Sequence, residues 1–178
     1  MEATYGAAME GNWKKMVNYY REHLEYFFSP VTDTYDTVLH LAIHSNKEQP
    51  LKDLLEIVTE RELPALTETE FLKKGNKFGN TALHEATIHG NYEAARLLVE
   101  RCPDLLKEKN KYGETPLFTA AGFAETEIVE FLIRSKPGQC VDDDGLLLQI
   151  HSRRTVDCLS ILSAAIIGQK FGNNSSLY

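Results

Sequence analysis

Residues 76–99 read Asn76-Lys-Phe-Gly79-Asn-Thr81-Ala-Leu83-His84-Glu-Ala86-Thr-Ile-His-Gly90-Asn-Tyr-Glu-Ala-Ala95-Arg-Leu97-Leu98-Val99. Residues 110–133 read Asn110-Lys-Tyr-Gly113-Glu-Thr115-Pro-Leu117-Phe118-Thr-Ala120-Ala121-Gly-Phe-Ala-Glu-Thr-Glu-Ile-Val129-Glu-Phe131-Leu132-Ile133. The two stretches are offset by 34 residues, and Asn, Gly, Thr, Leu and Ala recur in phase. Working outward, Thr37-Val-Leu39-His40-Leu-Ala42 stands 44 residues upstream of the first copy. Ser160-Ile-Leu162-Ser163-Ala-Ala165 stands 45 residues downstream of the second. A weaker copy opens the chain at Ala7-Ala8-Met-Glu-Gly11-Asn12-Trp13, followed by Val17 and Tyr20.

The spacing has physical reasons. Gly79 and Gly113 fall in a tight turn, where a positive φ is cheap only for glycine. Thr81 and Thr115 stand where a helix N-cap belongs. Ala86, Ala120 and Ala121 are small enough to let neighbouring helices approach. Gly90 breaks the first helix, and residues 92–101 form a second, with Ala95, Leu98 and Val99 on one face. Pro103 and the Asn-x-x-Gly turn then close one unit and open the next.

A period of 33–34 residues with T-x-L-H-x-A resembles the ankyrin repeat. The resemblance implies an all-α solenoid of stacked helix-turn-helix units with hairpin loops, about five repeats, the last incomplete. The repeats are expected near 3–30, 33–63, 76–106, 110–136 and 155–171, within a domain spanning 1–171. An insertion at 64–75, an irregular stretch at 137–154 and a polar tail at 172–178 complete the chain. The insertion follows an amphipathic helix after Pro50, with Leu51, Leu54, Leu55 and Val58 on one face. Leu63 to Leu66, Phe71 and Leu72 predict a short helix covering the edge of the stack. In an ankyrin unit the shared histidine, here His40 and His84, is structural and ties adjacent turns. Phe118 and Ser163 stand in its place elsewhere, so those junctions are expected to lack the tie.

Finer matches resemble the plant ankyrin-repeat membrane proteins of the accelerated-cell-death type, whose C-terminal PGG domain crosses the membrane. They are the opening Ala7 to Trp13, Leu54-Leu-Glu-Ile-Val58, Cys102-Pro-Asp-Leu-Leu106 and Gly113-Glu-Thr-Pro-Leu-Phe118. Asp157 to Gln169 is similar to the family's D-G-x-S-I-L-H-A-A-I-x-G-Q, with Cys158 for the turn glycine and Ser163 for the histidine. From this resemblance the chain is expected to be a truncated relative lacking the PGG and membrane parts, cytoplasmic or held at the cytosolic face of a membrane.

The 178 residues carry a net charge of −7 and are 43% hydrophobic, which excludes global disorder and a basic nucleic-acid-binding face. The longest largely apolar run, Ile161 to Ile167, is far shorter than the roughly 20 residues of a membrane span. Met1 to Tyr5 do not read as a signal peptide, and sequons at Asn173 and Asn174 carry little weight without one. Cys102, Cys140 and Cys158 are far apart and form no C-x-x-C, so reduced thiols are expected. Asp142-Asp-Asp-Gly145 lacks the alternating acids and distal Glu of a calcium loop and is expected to be a solvated turn. His23, His44, His89 and His151 show no ligand spacing, so neither a metal nor another cofactor is expected. No catalytic motif is present, and the chain is not expected to be an enzyme.

Function is therefore expected on the surface, as binding of a protein partner. By repeat position the outward residues are Lys77, Phe78, Asn80, Ile88 and His89, then Lys111, Tyr112, Glu114, Gly122 and Phe123. Repeat two offers Thr34, Asp36, His44 and Ser45. Phe78 and Tyr112 occupy equivalent tips and are the expected hot spots. Neither nucleic acid nor direct membrane insertion is expected. Association with full-length relatives through the open edge of repeat five is the alternative.

Overall fold

The computed structural model describes residues 2–45, 47–60 and 65–171; the polar tail, its two sequons and Leu63 lie outside them. The described chain is helical, with two isolated β-bridges, Val141 with Leu147 and Arg153 with Ser160. Its helices are α1 (Glu2–Met9), α2 (Trp13–Glu22), α3 (Val38–His44), α4 (Glu48–Glu60), α5 (Ala65–Leu72), α6 (Ala82–Ile88) and α7 (Tyr92–Arg101). They continue as α8 (Pro116–Gly122), α9 (Thr126–Ser135), α10 (Pro137–Cys140), α11 (Gln149–Ser152) and α12 (Ile161–Phe171).

Two layers run the length of the stack. Helices α3, α6, α8 and α12 pack in succession to form one, and α2, α4, α7 and α9 form the other. Sequence dictates the division. In the first layer α3, α6 and α8 are short and buried nearly all round, as in Val38 to Ile43 and Ala82 to Thr87. The second-layer helices are amphipathic; α7 buries Ala94, Ala95, Leu98 and Val99 and leaves Glu93 and Glu100 to solvent. Within a unit the chain passes between layers at Gly11, Gly90 and Ala124, all with positive φ. There the bonds Asn12 N to Ala7 O, Asn91 N to Ala86 O and Glu125 N to Ala120 O repeat the same closure at 2.7–2.9 Å. Asn12 and Asn91 then cap the following helix through their side-chain oxygens.

The insertions are part of the same core. In α5, Phe71 is buried against Phe27 and Phe28, at ring distances of 5.0 and 5.6 Å. Glu68 of α5 pairs with Arg101 of α7. In the irregular stretch Asp142 is exposed, and its Oδ1 accepts from the backbone N–H of Asp144 and Leu146. That carboxylate closes a turn through Gly145. Cys102 and Cys140 are buried and Cys158 is exposed, all as free thiols. Burial pushes the Cys140 thiol up to about 11. No described helix is long and apolar enough to cross a membrane.

At the far end α12 lies unusually close to α8. A Cβ on Gly168 would stand 2.2 Å from the carbonyl oxygen of Gly122, so only glycine permits this approach. The opposite face of α12 stays open: Leu162, Ile166 and Ile167 are exposed.

Candidate functional site

The second to fifth units each begin with a hairpin whose tip projects from the stack. In the central hairpins Asn76 N donates to Asn80 O and Asn110 N donates to Glu114 O, at 2.9 and 3.0 Å. The first and last hairpins repeat this with Val31 N to Asp36 O and Arg154 N to Leu159 O. The turn residue has positive φ in all of them: Tyr35 (60°), Gly79 (78°), Gly113 (79°) and Cys158 (58°). Neighbouring tips are joined by backbone bonds at 2.7–2.9 Å, Lys77 N to Thr34 O, Lys111 N to Phe78 O and Thr155 N to Tyr112 O. These bonds fix the tips in one row.

Apolar side chains stand exposed along that row. Tyr35 is 59% exposed, Phe78 41%, Tyr112 43% and Val156 66%. Lys77 and Lys111 flank them in solvent. Sequence reading singled out Phe78, Tyr112 and the two lysines. It missed Tyr35 and Val156, because Tyr35 and Cys158 occupy the turn-glycine positions of their hairpins.

The bases of the hairpins behave differently. Asn80 was expected to face a partner, but it is buried: its amide donates to Glu85 Oε1 at 2.9 Å and its carbonyl group accepts from Asn110. Asp36 is likewise buried, held by Asn76, Thr32 and Thr34. Glu114 is half-buried between Asn110 and Arg154. Gly122 faces α12 rather than solvent. Three of these contacts cross a repeat boundary, Asn76 to Asp36, Asn110 to Asn80 and Arg154 to Glu114, at 3.0, 3.0 and 3.2 Å. The residues expected on the surface thus form a polar ladder inside it, because each hairpin base stacks on the next and its polar groups must find partners there. Phe123 and His89 are exposed and Ile88 is half-buried.

The paired histidines sit deeper. His40 Nδ1 accepts from the backbone N–H of Thr37 at 3.1 Å, so its Nε2–H donates to Asn80 O at 2.8 Å. His84 does the same between Thr81 N and Glu114 O, at 3.2 and 3.0 Å. Both rings are neutral donors across a junction. Burial lowers the pKa of each, that of His84 to about 4. The fourth unit, with Phe118 in this place, was expected to lack the tie. Among the described residues no histidine there bonds the next hairpin; His151 of α11 links Thr115 Oγ1, 2.9 Å from its Nδ1, to Gln139 O of α10, 2.8 Å from its Nε2. Its distance in sequence, 36 residues from Thr115, gave no sign of this.

A further cluster joins α3 to α6. Glu85 Oε2 stands 3.5 Å from His44 Nε2 and 3.5 Å from His89 Nε2. Burial would raise the Glu85 carboxyl, but hydrogen bonds from His44, His89 and Asn80 outweigh it and hold the group well below the carboxylate range. The bond to Glu85 in turn raises His44. No spacing rule finds this group, because its members come from two repeats. A groove of about 520 Å³ lies beside His44, lined by Tyr5, Met9, Trp13, Thr34 and Leu41.

The stacked units match a model of ankyrin repeats in three copies, over residues 5–105 and 39–144. The chain belongs to the ankyrin repeat family. Its fold is the ankyrin solenoid, and ankyrin repeats are protein-interaction scaffolds. No curated protein sequence matches the chain. Among solved structures it is similar to a chain from the yeast ribosomal protein Rps3 in complex with its chaperone Yar1. The TM-score is 0.66 and the identity 22%, over 75% of this chain and 91% of that one. At that identity the likeness concerns the ankyrin fold.

Proposed function

We propose that this ankyrin stack is a non-enzymatic protein-interaction module that takes its partner along the hairpin tips. The observation that carries this reading is the row of exposed apolar tips, Tyr35, Phe78, Tyr112 and Val156, held in register by backbone bonds. Large aromatic side chains on a rigid frame lose little entropy on binding and dominate interface energies. Lys77 and Lys111 add charge at the rim, and Phe123 and His89 extend the surface towards the first-layer helices. The structurally similar chain comes from a complex with a chaperone, which supports a protein partner here. The resemblance to plant ankyrin-repeat membrane proteins supports a role in signalling, stress or defence. The test is partner capture followed by mass spectrometry with the Phe78→Ala, Tyr112→Ala double variant. Capture is expected to fall strongly while thermal unfolding stays nearly unchanged. Undiminished capture, or a large loss of stability, contradicts the reading.

A second reading is favoured by α12, whose Leu162, Ile166 and Ile167 are 73%, 54% and 42% exposed. A repeat buries its face only against neighbours. In this reading repeats of a membrane-anchored relative cover that face, and the chain works at the cytosolic side of a membrane. Co-sedimentation with membranes that contain such a relative, lost in Leu162→Lys, separates it from the first.

A further inference from the structure

Three metal-ligating side chains converge where α3 meets α6. His44 ends α3, Glu85 lies in α6, and His89 directly follows that helix, one turn on from Glu85. Their ligand atoms all lie within 4.8 Å of one another. The two imidazole rings cross edge to face with centroids 4.8 Å apart.

The distances fit an ion. Zinc bonds nitrogen and carboxylate oxygen at about 2.0–2.2 Å, and a tetrahedral arrangement sets those atoms about 3.4 Å apart. Both histidine nitrogens already stand 3.5 Å from Glu85 Oε2. The third edge, between the two nitrogens, closes by rotation of rings whose side chains are 37% and 50% exposed.

The carboxylate is also prepared. Glu85 is only 7% exposed, and its Oε1 is occupied by the amides of Asn76 and Asn80 at 3.0 and 2.9 Å. That leaves Oε2 turned towards the rings. Outer hydrogen bonds that fix a ligating carboxylate in this way accompany metal sites. Two imidazoles and one carboxylate suit zinc, whereas calcium and magnesium take oxygen ligands throughout.

We propose that His44, Glu85 and His89 form a zinc site that bridges the second and third repeats. Bound there, the ion joins helices from two units and binds the folded chain alone, so it raises stability by mass action. Three protein ligands leave one coordination position for water or for a donor from a docked partner.

The test is calorimetric titration of the full chain with Zn²⁺ in a Cys158→Ser background, which removes the exposed thiol as a rival ligand. One equivalent is expected to bind, with a rise in Tm that Mg²⁺ does not produce. His44→Ala and His89→Ala are each expected to weaken binding by more than the roughly 100-fold that loss of an outer partner costs at most. Each is also expected to abolish the rise in Tm, and His23→Ala to change neither. Both histidines are half-exposed, and circular dichroism of the metal-free variants checks that they fold. No saturable Zn²⁺ binding, or equal binding by the histidine variants, overturns the proposal and leaves a histidine–glutamate ion-pair cluster.

Discussion

The central junctions and the last one follow the same template and are finished differently. Between the second and third units, and between the third and fourth, a buried histidine reaches across to the next hairpin. The turn residue of the receiving hairpin is glycine, Gly79 or Gly113. At the last junction the template residues are gone. Phe118 replaces the histidine, His151 is supplied from α11, and Cys158 occupies the glycine position at φ 58°. Ser163 stands at the histidine position of α12, its hydroxyl 2.9 Å from that of Ser160. The polar ladder continues throughout, ending on Arg154 and Glu114. A solenoid thus tolerates loss of a motif residue: His151 gives Thr115 Oγ1 a partner but leads to Gln139 of α10, and the junction itself is held by the Arg154–Glu114 contact and the Thr155 N to Tyr112 O bond.

The largest effect is expected from His84→Ala. It leaves Thr81 N without its partner, removes one of the two bonds to Glu114 O and opens a cavity, at a cost of about 3–5 kcal/mol in urea unfolding. Ser163→Ala, at the matching place in α12, is expected to cost less than about 1 kcal/mol. Equal costs would break the comparison.

Acid comes next. The folded chain holds His84 at about 4 against about 6.5 when unfolded, so the unfolded state binds more protons between those values. Its contribution is complete above about pH 6.5 and lost as pH falls towards 4, about 3 kcal/mol in all. His40 and His151, also lowered by burial, act in the same sense. His44, raised by Glu85, acts in the opposite one. Unfolding free energies measured from pH 7 to 4.5 are expected to fall, less steeply in His84→Ala. A flat profile in the wild type contradicts the neutral buried ties.

The smallest effect sharpens the contrast at the turns. A non-glycine residue in the left-handed region costs roughly 1–2 kcal/mol, partly offset by the greater freedom of glycine when unfolded. Cys158→Gly is therefore expected to stabilise by about 0.5–1 kcal/mol. Gly113→Ala is expected to destabilise, because its Cβ would meet Thr155 Oγ1 at 2.1 Å.

The layers of this fold are legible in the sequence because each helix carries its own short-range signal. The alanines, the Thr caps and the Leu98–Val99 face all act within one or two turns. The site was legible only in part. Phe78 and Tyr112 follow from turn position alone, whereas Asn80, Asp36 and Glu114 occupy the same hairpins and are claimed by neighbours 30 or 40 residues away. Periodicity predicts which way the chain turns, not which polar group the next repeat will need. For the same reason the His44, Glu85 and His89 cluster and the His151 link appear only once the units are stacked.

The most direct test sets the two exposed regions against each other on one captured partner. Phe78→Ala with Tyr112→Ala alters the tips, and Leu162→Lys with Ile166→Lys alters the open face of α12. Retention of the partner is expected to be lost in the tip variant and kept in the α12 variant, with both folded. Loss in the α12 variant alone would contradict the tips as the binding surface.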